Sequence, residues 1–172
     1  MYQIKINSTT GSEIITTADV KLYSRIDTTA DDTLIADMIK QARIYIENYI
    51  EQDIVAKNRT VYFQELNARF VLPYAPISSI SSVTLDGTAT TSYKTYGLDN
   101  LEIKLNELPA KEVKITYITA GQDDPLLKQA MLQLVNTFYD NRADFNVMQG
   151  VNFVELPSNV KSIVDSYKNV FI

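Results

Sequence analysis

The spacing of apolar residues changes twice along this chain, from helical to alternating and back to helical, and that double switch limits the folds open to it. From about residue 16 to 54 the period is helical. Thr16 or Thr17 can cap a short helix through Leu22 to about Arg25, with Asp19 in the first turn to complement the helix dipole. A second helix is expected from Thr29 to about Glu51, with Asp32 placed three residues after Thr29 in a capping-box relation. Its stripe is Ile35, Met38, Ala42, Tyr45 and Tyr49, widened by Leu34, Ile39, Ile46 and Ile50. An apolar face that wide calls for more than one packing partner.

Between about 58 and 120 the period falls to two. Val61 and Phe63, then Leu101, Ile103 and Leu105, then Val113, Ile115 and Tyr117 alternate with polar neighbours, as strands with one buried face do. Asp86-Gly87 is a two-residue hairpin signal, and Pro73 and Pro76 keep their stretch off a central strand. Helical spacing returns at Asp124, an N-cap, followed by Pro125 at the first helical position. Leu127, Ala130, Met131, Leu134, Val135 and Phe138 form the stripe, which ends near Arg142. A looser stretch from Asp144 to Leu156 precedes a last helix introduced by Pro157-Ser158. The order predicts an α+β fold, a small helical bundle with an inserted antiparallel β domain. Residues 1–55 supply the N-terminal helices, 56–120 the inserted β domain, and 121–172 the C-terminal helices and tail of one compact unit.

Composition narrows the chemistry. The 172 residues contain no Cys and no His, which removes disulfides, zinc–thiolate sites and the Ser-His and Cys-His nucleophile arrangements together. Carboxylates, Lys and Tyr remain, so the expectation is no enzyme, no cofactor and no metal. Sixteen basic against 21 acidic residues give a net charge of −5, a poor balance for a protein that grips phosphate. The opening Met1-Tyr2-Gln3-Ile4-Lys5-Ile6 lacks the parts of a signal peptide, and no run of about 18 apolar residues predicts a membrane span.

Three local patterns could carry more. Asp27, Asp31, Asp32 and Asp37 lack the spacing and the glycine of a calcium loop, and their place at a helix start favours capping. Gly121-Gln122-Asp123-Asp124, between strand and helix, has acids where a phosphate cradle needs glycines and a cation. It reads as a turn and an N-cap. Of the eleven tyrosines, Tyr45, Tyr49, Tyr117 and Tyr139 sit on or beside apolar stripes with no interleaved basic residues, so Tyr45, Tyr49 and Tyr139 are candidates for core or subunit-interface packing rather than base stacking.

Read in order, several segments resemble the gp6-like head–tail connector (adaptor) proteins of tailed phages, in the variant with a β insertion. They are Asp19-Val20-Lys21-Leu22-Tyr23-Ser24-Arg25-Ile26-Asp27 with Asp31-Asp32-Thr33-Leu34-Ile35, and Leu72-Pro73 through Pro76-Ile77 to Val83-Thr84-Leu85-Asp86-Gly87. Val113-Lys114-Ile115-Thr116-Tyr117 with Ala120-Gly121, Phe138-Tyr139-Asp140-Asn141-Arg142 and Leu156-Pro157 with Val160-Lys161 continue the series. The resemblance implies a twelve-fold homo-oligomeric ring in the virion neck, assembled in the bacterial host cytoplasm. It would sit beneath the portal protein and above a stopper or tail-completion protein, with DNA passing through without sequence-specific binding and no membrane involved. It also implies a portal-docking tail, here Lys168, Asn169, Val170, Phe171 and Ile172, although that apolar end could instead fold back on its own bundle. Another neck or tail protein (a stopper or tail terminator), or a bacterial interaction domain, is the alternative.

Overall fold

The computed structural model describes residues 2–66, 69–99, 101–107, 109–141 and 156–168. The expected stretch 144–156 therefore lies outside the described residues except for Leu156, as do Asn169 to Ile172 of the tail. The chain divides into two compact units, one of residues 1–12 with 51–122 and one of residues 13–50 with 123–172. Helices and antiparallel sheets together make it an α+β protein, as the double switch in periodicity predicts.

Among the described residues the first unit holds eight strands: β1 (Tyr2–Thr9), β2 (Lys57–Leu66), β3 (Phe70–Val71), β4 (Ile77–Leu85), β5 (Thr88–Ala89), β6 (Tyr93–Tyr96), β7 (Glu102–Leu105) and β8 (Ala110–Thr119). They form a five-stranded sheet in the order β1-β2-β8-β4-β5 and a three-stranded sheet in the order β3-β7-β6. β1 is a correction to the expectation that residues 1–55 supply only helices. Its alternation of Tyr2, Ile4 and Ile6 with Gln3, Lys5 and Asn7 is a strand pattern, and it pairs antiparallel with β2. Both sheets feed one core, in which Val61, Ile103, Val113, Ile115 and Tyr117 are fully buried. The Asp86-Gly87 turn joins β4 to β5 with positive φ at both residues, the geometry a two-residue hairpin favours. Asp86 does more than turn. Its carboxylate accepts from the backbone N–H of Lys111 (3.0 Å) and Glu112 (2.8 Å), so the hairpin tip is tied to β8.

The second unit holds α1 (Thr17–Ser24), α2 (Asp32–Ile50), α3 (Pro125–Asp140), α4 (Ser158–Val164) and a terminal 3-10 turn, Asp165–Tyr167. Thr16 caps α1 with a complete capping box. Its hydroxyl accepts from Asp19 N–H, and the Asp19 carboxylate accepts from Thr16 N–H at 2.7 Å. Replacing Thr16 with Ala should therefore lower stability by about 1 kcal/mol, measurable by urea unfolding. α3 begins as expected, with Asp124 accepting from Leu126 N–H and Pro125 in the first turn.

α2 departs from its expected cap. It starts at Asp32 and not at Thr29, because Thr29 O accepts from Asp32 N–H at 3.3 Å in a turn, just after Thr28, whose hydroxyl accepts from Ala30 N–H. The Asp32 carboxylate accepts from Lys21 of α1 at 2.8 Å instead of turning back to a cap. Its buried stripe is Ile35, Met38, Ile39, Ala42, Ile46 and Ile50. Tyr45 lies outside that stripe and Tyr49 is half-buried at its margin.

Candidate functional site

The strand unit encloses a charged network that periodicity alone does not announce. Asp53 is fully buried just before β2 and accepts four hydrogen bonds. Arg59 gives two, at 2.7 and 2.6 Å, and Lys57 Nζ and the Thr119 hydroxyl give one each at 2.8 Å. Arg59 also lies over the Tyr74 ring, 3.6 Å from its centre. Burial works against ionisation of Asp53, but the hydrogen bonds and charges of Arg59 and Lys57 outweigh it and hold the carboxyl below its ordinary value. Burial raises the Tyr117 phenol, which donates to Pro73 O at 2.9 Å. One carboxylate locked by two cations has no free position for substrate. It acts as a clamp between the start of β2 and the end of β8.

The helical unit has a counterpart. Arg43, on α2, donates through Nε to both oxygens of Glu13 (3.0 and 2.9 Å) and through a terminal nitrogen to Glu47 (2.9 Å). Arg43 and Glu47 are buried, which the sequence reading missed. A signal did exist. Arg43 and Glu47 are four apart beside an apolar stripe, and Arg59 occupies an inward position in the alternation of β2 with Val61 and Phe63.

The structure separates the expected interface tyrosines. Tyr139 donates to Asp31 at 2.6 Å, and Tyr49 donates to Asp165 at 2.6 Å, a bond that raises its phenol above the usual value. Tyr45 is 38% exposed beside Ile44 at 48%, whereas Tyr49 and Tyr139 are half-buried. Lys168, the last described residue, stands over the Tyr49 ring at 4.6 Å. Tyr167 donates to Asp124, and burial followed by that bond pushes its phenol up to about 12. The base of the tail is thus pinned to α2 and α3. Leu22, 83% exposed on α1, rims a shallow groove of about 680 Å³ lined by Ala18, Lys21, Arg25 and Ile26.

Of the four aspartates weighed as metal ligands, Asp31, Asp32 and Asp37 bond to Tyr139, Lys21 and Lys40. Among the described residues no group of three or more acids could hold a metal ion, and no helix is long and apolar enough to cross a membrane. These aspartates are engaged by other side chains, while Leu22, Ile44 and Tyr45 leave apolar surface exposed on α1 and α2.

Comparison with known proteins gives the chain a family. Residues 13–170 match the head completion protein family, and the chain belongs to it. It is a structural protein of the phage head–tail kind, as the ordered segments in its sequence imply. No curated protein matches the sequence. Among solved structures the fold is similar to a chain in the neck of an empty gene transfer agent particle computed with C6 symmetry. There the TM-score is 0.76 at 14% identity, over 99% of this chain and 97% of that one. A chain in the virion of a native gene transfer agent particle gives 0.71 at 16% identity, again over 99% and 97%. A third, in the neck of a native particle computed with C12 symmetry, gives 0.61 at 15% over 96% and 97%. At these identities the likeness concerns the fold.

Proposed function

We propose that this protein is the adaptor subunit of a phage neck, forming a ring beneath the portal protein and above a stopper or tail-completion protein. The family match across residues 13–170 carries the reading. The similarity of the whole fold to neck components of a particle reconstructed with six-fold and twelve-fold symmetry supports a ring. In this reading the β part, expected at 56–120, is an insertion in the helical frame. DNA passes through the ring without being gripped, and a net charge of −5 per subunit agrees with that, because neutralised phosphates would add counterion-release affinity and slow the passage. Tyr45 takes part in side-to-side contacts, whereas Tyr49 and Tyr139 act from within by bracing the tail and α3.

Lys168, Asn169, Val170, Phe171 and Ile172 are the portal-docking element. Lys168 and Tyr167 anchor its base, so the three apolar residues beyond reach the portal from a fixed point. Burying three such side chains favours docking by about 1.5–3 kcal/mol each before ordering costs, and repetition around a ring multiplies a small surplus into firm attachment. Electron microscopy of the protein mixed with its portal should show decorated portals. Deleting Val170 to Ile172 should abolish decoration and leave the melting temperature within about 2 °C, a shift under 1 kcal/mol for a chain of this size. Undecorated portals with the intact protein would sink the adaptor reading. Normal decoration by the truncated protein would sink only the tail's role.

A further inference from the structure

β1 is the outermost strand of the five-stranded sheet. Tyr2, Ile4 and Ile6 on its inner side stand opposite Phe63, Val61 and Arg59, all buried. Yet Tyr2 is 46% and Ile6 49% exposed, and Ile4 is only partly buried against the core. The apolar row extends past the point where the sheet stops. Natural edges are blunted by charges, proline or bulges. From Tyr2 to Ile6 this one carries a single Lys5, no proline and unbroken pairing with β2, the irregularity coming only between Ile6 and Ser8. The opposite edge is closed. β5 pairs with Thr84 and Leu85, Ile77 N–H donates to Asp99 O, Val83 O accepts from Thr90 N–H, and the register of β4 shifts twice between Ile77 and Ser82.

We propose that β1 pairs antiparallel with β1 of a second copy of this chain, about a two-fold axis through Ile4, joining two five-stranded sheets into one. The residues select that register. Centred on Ile4, Tyr2 meets Ile6, Ile4 meets Ile4, and Gln3 meets Lys5, so apolar neighbours share the inner face and no like charges oppose. Centring on Lys5 would set Lys5 against itself, which opposes pairing. A shift by one residue would place the apolar row of one strand on the polar side of the other. Five paired residues bury less than the about 1,000 Å² of a durable interface, so the pair forms and dissociates with concentration. Contacts within a cyclic ring are heterologous, so this pair is the unassembled form and opens when a ring is built. Its opening rests on the ring of the adaptor reading; the pairing itself stands or falls independently of it.

Three measurements on the full chain test it. Light scattering should show the mass rising from 19.4 kDa towards twice that value as concentration is raised from about 1 μM to about 1 mM. Gln3 is solvent-exposed, so its charge can be varied without disturbing the core. Gln3→Glu faces Lys5 twice per pair and should strengthen association roughly two- to thirty-fold, while Gln3→Lys should weaken it by a similar factor. The chain has no cysteine, so each single-cysteine variant carries one thiol. Ile4→Cys should cross-link to itself on mild oxidation, because opposed Cα atoms at about 4.5–5.5 Å suit a disulfide, and Lys5→Cys should not. A monomer at every concentration would overturn the proposal. So would an Ile4→Cys protein that fails to cross-link, or the two Gln3 variants moving association in the same direction.

Discussion

Replacing Asp53 with Asn is expected to destabilise the protein by about 3–5 kcal/mol, because removing one partner of a buried ion cluster leaves the others uncompensated. Arg59 and Lys57 are each at most 4% exposed, and Asp53 is the carboxylate that both contact. Asparagine keeps the shape and loses the charge, so the cost falls on two buried cations at once. Removing the carboxylate and Arg59 together, as in Asp53→Asn with Arg59→Met, should recover part of the loss, since a neutral pair of similar volume is often tolerated. The pH dependence gives a second check. The Asp53 carboxyl is depressed in the folded state, so its contribution is fully present above its ordinary value and is lost as pH falls through its folded value. The stability gap between wild type and Asp53→Asn should stay constant from pH 7 to about 5 and close only below about 4. A variant within about 1 kcal/mol of wild type at pH 7 in urea unfolding would show that the cluster contributes little to stability.

The elements that could be read from sequence are those whose signal is local. The cap at Thr16 or Thr17, the Asp124-Pro125 start and the Asp86-Gly87 hairpin each rest on a few adjacent residues, and each is formed, the first by Thr16 with Asp19 closing a capping box beyond the dipole role expected of it. Positions fixed by partners distant in sequence were harder to read. Asp32 looks like a capping residue until Lys21 takes its carboxylate. β1 is a short pattern at the chain end, and what makes it a strand is β2, more than fifty residues on. Tyr45 shares a helical stripe with Met38 and Ala42 in the sequence, yet those two are buried and Tyr45 is exposed. Periodicity gives a stripe's axis and not the width that neighbouring helices cover. The buried charges were the least legible, since Arg43, Glu47 and Asp53 resemble ordinary surface residues; their partners Glu47, Lys57 and Arg59 lie only four to six positions away, but their burial depends on packing and on the distant Glu13 and Thr119.

Gly121→Ala is expected to be the other large effect, and a second glycine serves as its control. Gly121 has φ +75°, and a Cβ there would stand 2.8 Å from Ala56 N and 2.9 Å from Ile54 O. Those are backbone atoms that cannot step aside. Ile54 O accepts from Gln122 N–H at 2.8 Å, and Ala56 O accepts from both Thr10 and Gly11 N–H at 2.8 and 3.0 Å. The segment 54–56 is held from two sides, by residues 10–11 and by residues 121–122, and any shift to admit a methyl group breaks these bonds. Gly87 has φ +83° with nothing within 4 Å of its added Cβ, so Gly87→Ala carries only the backbone strain, about 1–2 kcal/mol. Gly121→Ala carries the same strain plus the collision, and should exceed Gly87→Ala by at least about 2 kcal/mol, in the range where large substitution effects have an identifiable steric cause. This gives the Ala120-Gly121 step of the connector-like sequence a physical meaning. It is the place where the end of β8 comes within contact distance of residues 54–56, and only glycine leaves the room. Equal losses for the two variants in parallel urea titrations would show that backbone strain alone accounts for Gly121 and that the close approach is soft.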